Sequence, residues 1–472
     1  MGPYALKLVL LCCAIFPAWL FAQQQPANAC QPSYSSSLVC VIPQTFGPQG
    51  LTLPNPNHFA HFVSSFQQNF VPLTGAIGTE LTLLPLASPA SGLLFTFDRA
   101  TGAVIRSSQS FGPILTERAE TIGKHHLYVA SSYQYFHFST LDGIDLKDLP
   151  VVFQHLKEPG SNPPFRSEYI TTQNRIALNV NQFTLYATFG LTNRIDASVA
   201  MPINDVRFSV TSDATIVRIA PQPVLPGQPY YSLTYPGGGA PGYYHFFNCS
   251  NPAGSLNQIF PGGLVGTCPS ATPNPTLPPK SAAGIGDLVF RVKGTVLEQE
   301  HLRLALGLDV RTPTGAAPNF LGSGAVGVEP FFVASYSARV SPHVNLGYQY
   351  NGDSILVGDV ATGTTGKLPN VFFYSGGLDV GVSKRLTVIG DFLGQRLSSL
   401  QRIRPALFTD VNGVTTPTIQ LYKSSANLDA ISLGTKFSPY GNFLVTANVE
   451  IAVNDGGLRA RAVPLIGLSY TF

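Results

Sequence analysis

The sequence predicts an all-β fold: a transmembrane antiparallel up-and-down β-barrel of about 12 strands with an N-terminal periplasmic or plug segment. Three observations predict this fold. Stretches of roughly ten residues alternate apolar and polar positions from residue 125 to the end. The chain starts with an export-type leader, and it ends in an aromatic strand that terminates at Phe472.

Composition narrows the class of protein. Only 11% of the 472 residues are charged, 44% are hydrophobic, and the formal net charge is +3. Soluble globular chains carry about a quarter charged residues, and helical membrane proteins contain apolar runs of roughly 18 or more residues. The sequence has neither feature, and its near-neutral charge argues against a tight nucleic-acid partner.

The N-terminus predicts export. Lys7 precedes an apolar stretch over residues 8–22, and three glutamines follow it. We therefore interpret residues 1–22 as a secretory signal peptide. A later cleavage site, or a lipoprotein cysteine at Cys30, is the alternative, although Asn28 fits a lipobox badly.

Four cysteines remain after the leader, in a compartment that permits disulfides. The economical pairing joins Cys30 to Cys40 and Cys249 to Cys268. A zinc site is the alternative, but the sequence lacks the close cysteine and histidine spacing that zinc sites use. We expect no cofactor and no bound metal.

Alternation places one aliphatic face on each predicted strand. Over residues 302–311, Leu302, Leu304, Leu306, Leu308 and Val310 occupy every second position, with polar, small or charged residues between them. Similar patterns cover residues 344–351, 372–380 and 443–452. A soluble sandwich has the same period of two, so periodicity alone does not separate the two folds.

Loop lengths favour the barrel. Short connections are predicted at residues 192–193, 299–300, 341–342, 383–385 and 439–442, and longer links lie between them. Single-chain bacterial barrels have short periplasmic turns, long extracellular loops and an even number of strands. We therefore assign residues 125–472 to the barrel. The longest loop covers residues 212–283, and we expect it to form a lid.

Residues 23–124 lack sustained alternation. A hairpin is expected where residues 93–98 and 103–108 flank a turn at residues 100–102. This segment could plug the lumen, lie in the periplasm or add two strands to the barrel, and the first two alternatives are preferred.

The C-terminus carries an assembly signal. Ile466, Leu468, Tyr470 and Phe472 alternate with smaller or polar residues. The pattern resembles the terminal β-signal that the barrel assembly machinery recognises, and an exposed strand edge suits templated pairing during insertion.

Three runs carry a family resemblance: FGLTNRIDASVAMPI at residues 189–203, GIGDLVFRVK at 284–293 and LALGLDVRTPTG at 304–315. They resemble outer-membrane barrels of the transporter family associated with the meta-cleavage pathway of phenol degradation. The resemblance covers residues 171–472 and implies passage of small compounds, including hydrophobic or aromatic ones. It implies no catalytic residues.

The polar faces of the strands predict charges that line the lumen. In one interpretation, these charges form a polar path or a binding surface. In the other, they pair with one another and brace a narrow interior. As a set these charges indicate an inward face, because each would cost about 2–4 kcal/mol against lipid near the midplane. The candidates are Asp287, Arg291, Lys293, Arg303, Asp309, Arg311, Glu329, Asp379, Asp391, Lys436 and Glu450.

Catalysis has little support in the sequence, because the histidines have no ligand spacing and no serine and histidine pair stands out. We expect a barrel of the Gram-negative cell outer membrane that passes solutes passively and is not an enzyme. A structural or adhesive surface barrel is the alternative. The expected partners are outer-membrane lipid, the barrel assembly machinery and a small-molecule solute, with no nucleic acid.

Overall fold

The computed structural model describes residues 28–52, 60–88, 95–98, 103–106, 110–155, 169–217, 265–267, 280–410 and 413–472. Every structural statement below concerns these residues. The signal peptide interpretation of residues 1–22 falls outside them, as does the expected bridge between Cys249 and Cys268.

The N-terminal segment contains short helices and one hairpin. A 3-10 helix covers Leu38–Cys40, helix α1 covers Val63–Asn69 and helix α2 covers Leu73–Leu81. Strands β1 (Phe95–Asp98) and β2 (Ala103–Arg106) pair antiparallel where the sequence predicts a hairpin. Cys30 and Cys40 form a disulfide, which confirms that part of the predicted pairing. No described helix is long and apolar enough to cross a membrane.

The remaining strands follow in chain order. They are β3 (Leu127–Leu141), β4 (Ile144–Asp145), β5 (Leu149–Gln154), β6 (Tyr169–Gly190), β7 (Ile195–Val217), β8 (Val265–Thr267), β9 (Lys280–Ile285), β10 (Val289–Glu298), β11 (Leu302–Arg311), β12 (Gly327–Tyr336), β13 (Val340–Asn351), β14 (Asp353–Asp359), β15 (Thr364–Lys367), β16 (Val371–Ser383), β17 (Leu386–Thr409), β18 (Thr415–Tyr440), β19 (Phe443–Ala452), β20 (Leu458–Ala460) and β21 (Ala462–Thr471). A 3-10 helix at Ala317–Asn319 lies between β11 and β12.

Twelve antiparallel strands close into a barrel, which confirms the predicted fold class. The ring runs β3, β6, β7, β10, β11, β12, β13, β16, β17, β18, β19 and β21, and β21 pairs back onto β3. The last residue takes part in the closure, because Phe472 N donates to Leu127 O at 2.8 Å. Closure removes free sheet edges from the wall.

The outer surface of the barrel is apolar, as strand alternation predicts. Leu306 on β11 is 55% exposed, and Leu468 on β21 is 50% exposed. Residues of the opposite parity are enclosed, and Lys293 on β10 is only 1% exposed. Such a continuous apolar girdle is stable against lipid rather than water.

The two ends of the barrel differ. Short turns join the strands at the end that holds Leu127 and Phe472, here called the short-turn end. At the opposite, long-loop end, β17 and β18 run 24 and 26 residues, whereas the neighbouring β19 has ten. Their outer parts form a two-stranded ribbon beyond the wall, because β16 pairs with β17 only as far as Leu397.

The described parts of residues 28–88 pack at the long-loop end and enter the lumen. Phe46 and Phe66 are buried with Phe153 of β5, with ring centroids 5.7 Å apart for the first pair and 5.5 Å apart for Phe66 and Phe153. This aromatic core covers the mouth of the barrel and fits the plug alternative for the N-terminal segment.

Two sequence-based boundaries were wrong. The turn predicted at residues 341–342 lies earlier, between Tyr336 and Val340, and Pro342 sits inside β13 opposite Leu378. The proline suggested a turn, but the hydrophobic pattern that continues from Val340 sets the strand start. The predicted loop of residues 212–283 is also too long, because β7 continues to Val217 and β9 begins at Lys280.

Candidate functional site

The sequence-predicted lumen charges lie on the inward face. Seven are buried: Asp287, Lys293, Asp309, Arg311, Asp379, Asp391 and Lys436. The other four are Arg291, Arg303, Glu329 and Glu450; the arginine side chains are 20% and 16% exposed, and both glutamates are partly buried. Strand parity places the ten charges that lie on strands there, because outward residues such as Val292 and Leu308 alternate with them. Asp287 was expected on a strand as well, but it lies in the connection between β9 and β10.

An ion network joins strands β10 and β11 to the N-terminal segment. Arg291 and Asp309 sit opposite each other in the ladder, and Arg291 Nε and Nη2 donate to the two carboxylate oxygens at 2.7 and 2.6 Å. Arg291 Nη1 also donates to Glu117 Oε2 at 2.5 Å, and Lys293 Nζ lies 3.1 Å from Glu117 Oε1. Bidentate, buried pairs of this kind fix geometry tightly.

Wall side chains also bind the backbone of the N-terminal segment. Lys293 Nζ donates to the carbonyl oxygens of Arg118 and Glu120, each at 2.8 Å. Thr295 Oγ1 donates to Ala119 O at 2.6 Å, and Ala119 N donates to Ser335 Oγ at 2.8 Å. Residues 110–122 belong to no strand, so these wall groups replace the ladder that their backbone lacks.

A second cluster holds the start of the same segment. His343 Nε2 lies 2.7 Å from Thr116 Oγ1 and 2.9 Å from Asp391 Oδ1, and His343 Nδ1 lies 3.4 Å from Asp379 Oδ1. Lys436 Nζ donates to the carbonyl oxygens of Phe111, at 3.4 Å, and Pro113.

The cluster of His343, Thr116 and Asp391 contains a hydroxyl, an imidazole and a carboxylate, as a catalytic triad does, but its geometry differs. A general base needs a free nitrogen that can take the proton of the nucleophile. His343 Nε2 faces Thr116 and Asp391 together, and both flanking carboxylates are buried. The cluster is therefore suited to holding the segment rather than to nucleophilic catalysis. No group of three metal-binding side chains occurs among the described residues.

Two other predicted charges lie at the two ends of the barrel. At the long-loop end, Asp287 accepts from Ser323 N at 2.7 Å and Gly315 N at 3.0 Å, so it orders the connection between β11 and β12. At the short-turn end, Arg303 Nη1 lies 3.4 Å from Glu120 Oε1 and donates to Ser337 Oγ at 2.7 Å.

A cavity of about 260 Å³ remains beside the segment. Its polar lining includes Arg291, Arg311 and Glu329, and its apolar lining includes Leu86 and Phe373. Arg311 also donates to Thr82 O at 3.1 Å and to Asn351 Oδ1 at 2.7 Å. Glu329 lines this cavity, and no hydrogen bond to its carboxyl group occurs within the described chain.

Sequence reasoning missed the partners that the N-terminal segment supplies. Glu117 and Glu120 come from the run Thr116-Glu117-Arg118-Ala119-Glu120, which has no strand or helix period. The three charged residues in this run of five are the one sequence signal for such partners. Buried charges of the lumen require opposite charges nearby, and this run could supply them.

Comparison with known proteins identifies no family. No protein-family model matches the chain, and no curated protein matches it. Solved structures to which it is similar include an outer-membrane channel from Pseudomonas putida F1, with 10% identity, a TM-score of 0.40, and coverage of 76% of this chain and 99% of that one. The NanC porin has 9% identity and a TM-score of 0.31 over 73% and 98% of the two chains.

A FadL homologue from Pseudomonas aeruginosa shares 11% identity and a TM-score of 0.29 over 81% of this chain and 96% of its own. These likenesses are too distant to assign a role to any residue. The barrel assignment therefore depends on the strand register described above.

Proposed function

We propose that this chain is a barrel of the Gram-negative outer membrane that allows passive passage of small solutes, including hydrophobic or aromatic ones, and that residues 110–122 control this passage. The resemblance to the phenol-pathway transporter family at residues 189–203, 284–293 and 304–315 supports the solute class. The apolar girdle, the leader and the aromatic C-terminus support the location.

One observation carries the proposal. Residues 110–122 occupy the lumen without pairing as a strand, and side chains of the wall hold them through hydrogen bonds and ion pairs, such as Lys293 with Glu117. A segment held in this way can leave without breaking the barrel ladder. The cavity beside it provides a place for a solute before the segment moves.

A reversible cross-link tests the proposal. Glu120 and Ser337 lie in side-chain contact at the short-turn end. Substituting both, as Glu120→Cys with Ser337→Cys, allows a short bis-methanethiosulfonate reagent to join segment and wall, and a reductant later releases them. Uptake of arabinose by proteoliposomes is measured before cross-linking, after it and after reduction, with each single cysteine variant as the matched control.

The expected result is uptake in the free protein, its loss after cross-linking and its return on reduction. Unchanged uptake in the cross-linked protein contradicts control by the segment. An absence of uptake in all states, for arabinose and for larger or smaller solutes, contradicts transport itself.

That last outcome would favour a structural or adhesive barrel. The same filled lumen supports this second candidate, because a segment held by several buried ion pairs can also be a permanent brace. A structural or adhesive barrel would bind surface partners through its long loops and would not let solutes pass.

A further inference from the structure

A second cavity lies at the long-loop end, outside the barrel wall. This chamber has a volume of about 550 Å³ and lies between helices α1 and α2, the β14 and β15 hairpin, and the β17 and β18 ribbon. Small-molecule sites commonly have volumes of about 300–1,000 Å³ and mainly apolar walls with a few polar groups. The chamber meets both criteria.

Apolar side chains line it from three sides, beside polar ones such as Gln67 and Gln401. Phe66 and Val71 line it from the helical side, Ile355 and Leu356 from the hairpin, and Leu400 from the ribbon. Phe66, Ile355, Leu356 and Leu400 are themselves buried. An aliphatic or aromatic group in this chamber would replace water against carbon surface, which is favourable by about 25 cal/mol per Å² of apolar area.

Two cationic side chains complete the lining. Lys367 ends β15 and Lys423 lies on β18, and both line the chamber. Neither forms an ion pair with a carboxylate among the described residues. The acidic residue in the same lining, Asp359, accepts hydrogen bonds from Ala361 N and Thr362 Oγ1 at 2.9 and 3.1 Å in its own turn. The chamber therefore presents excess positive charge beside an apolar surface.

The chamber also adjoins the candidate pathway. Leu400 packs in one buried cluster with Val371 and Leu397, and Leu83 and Phe373 pack against that cluster. Leu83 and Phe373 line the 260 Å³ lumen cavity. A single apolar layer thus separates the two spaces, so a solute bound in the chamber lies one side-chain rearrangement from the lumen.

We propose that the chamber binds hydrophobic monocarboxylates, with the apolar part against Phe66 and Leu356 and the carboxylate near Lys367 and Lys423. This inference rests on the proposed function and names the solute class that would meet the barrel first. An organic cation is disfavoured by both lysines, and a neutral hydrophobic molecule gains nothing from them.

Equilibrium dialysis of radiolabelled decanoate tests the proposal. The full chain is placed in phosphatidylcholine nanodiscs, and empty nanodiscs correct for partition into lipid. Decanol and decylamine serve as probes of the same chain length. The variants are Lys367→Gln, Lys423→Gln and the double variant. Lys147→Gln is the matched control, because Lys147 is also exposed at the long-loop end but does not line the chamber.

We expect decanoate to bind about fivefold more weakly in each lysine variant and more than tenfold more weakly in the double variant, with decanol unchanged. Val71→Phe fills the chamber without altering charge, and we expect it to weaken decanoate and decanol alike. Dialysis measures binding without transport, so an impermeable barrel that binds decanoate would contradict the proposed function and leave this inference standing.

Three results would overturn the inference: no decanoate bound above empty nanodiscs, equal losses for decanoate and decanol in the lysine variants, or full decanoate binding by Val71→Phe. A loss in Lys147→Gln equal to that in Lys367→Gln would also overturn it, because the effect would then be one of net charge.

Discussion

Lys293 Nζ lies 3.1 Å from Glu117 Oε1 in the interior of the barrel, and the lysine side chain is 1% exposed. The pair links a wall strand to a residue 176 positions earlier in the chain. Removing one partner from a buried pair leaves the other charge without compensation, which is far more destabilising than losing a surface pair. Lys293 is therefore one of the wall residues whose loss should weaken the attachment of the N-terminal segment most.

Substitution of Lys293 by Met should loosen residues 110–122 while the barrel stays folded. The change leaves Glu117 with its ion pair to Arg291 and a hydrogen bond from Ser88 Oγ, and it removes the hydrogen bonds from Lys293 to the carbonyl oxygens of Arg118 and Glu120. Breaking a buried pair costs about 3–5 kcal/mol. We expect a higher open probability in planar bilayers. Lys147→Met is the control, and a variant that conducts like the unmodified protein would show that Lys293 does not hold the segment.

Glu80 should make the docking of helix α2 depend on pH. The pKa of Glu80 is raised to about 8: burial is the largest cause and Asp142 adds to it, whereas the hydrogen bond from Leu458 N and the charges of Arg459 and Arg402 act in the opposite direction. Leu458 N donates to Glu80 Oε2 at 2.5 Å. Because the docked state binds the proton more tightly, this contribution to docking is complete below about pH 4.5 and is lost as the pH rises through about 8.

Hydrogen exchange of peptides that cover α2 measures this dependence. We expect protection factors, corrected for intrinsic exchange, to fall between pH 5 and pH 9 in the unmodified protein. Glu80→Gln mimics the protonated carboxyl, so its protection should stay nearly constant over the same range. An equal fall in both proteins would assign the dependence to another group.

Loss of Phe472 should impair assembly. Its backbone closes the ring against Leu127, and its side chain is 66% exposed on the outer face next to Tyr470, with ring centroids 4.6 Å apart. An aromatic strand end suits templated edge pairing. We expect deletion of Phe472 to reduce the heat-modifiable, folded fraction in membranes, and Phe472→Tyr to retain most of it. Normal assembly of the deletion variant would contradict a role as an assembly signal.

The wall could be predicted from sequence because each strand carries its own evidence. The period of two over residues 302–311 distinguishes the two faces of β11 without knowledge of any neighbour. Lumen charges such as Lys293 and Asp309 followed from the same parity. The starts of strands were harder to predict. Pro342 suggested a turn, but it lies within β13 and is paired with Leu378.

The conformation of the N-terminal segment could not be predicted in this way. Residues 110–122 have no internal hydrogen-bond ladder, so their conformation depends on wall groups far away in sequence, such as Ser335 and Thr295. Helices α1 and α2 are short, and their stability comes from packing against β5 and the ribbon rather than from their own propensity. Contacts of such long sequence separation leave no local pattern.

A charge on the outer face should separate lipid contact from simple exposure. Leu306 lies midway along β11 and is 55% exposed, and Val414, near the tip of the ribbon, is 56% exposed. If the girdle contacts hydrocarbon, Leu306→Lys loses about 2–4 kcal/mol, whereas Val414→Lys stays in water and loses almost nothing. Urea titration of both variants in phosphatidylcholine vesicles measures the difference. Equal midpoints for the two variants would mean that Leu306 contacts water, and the transmembrane assignment would then fail.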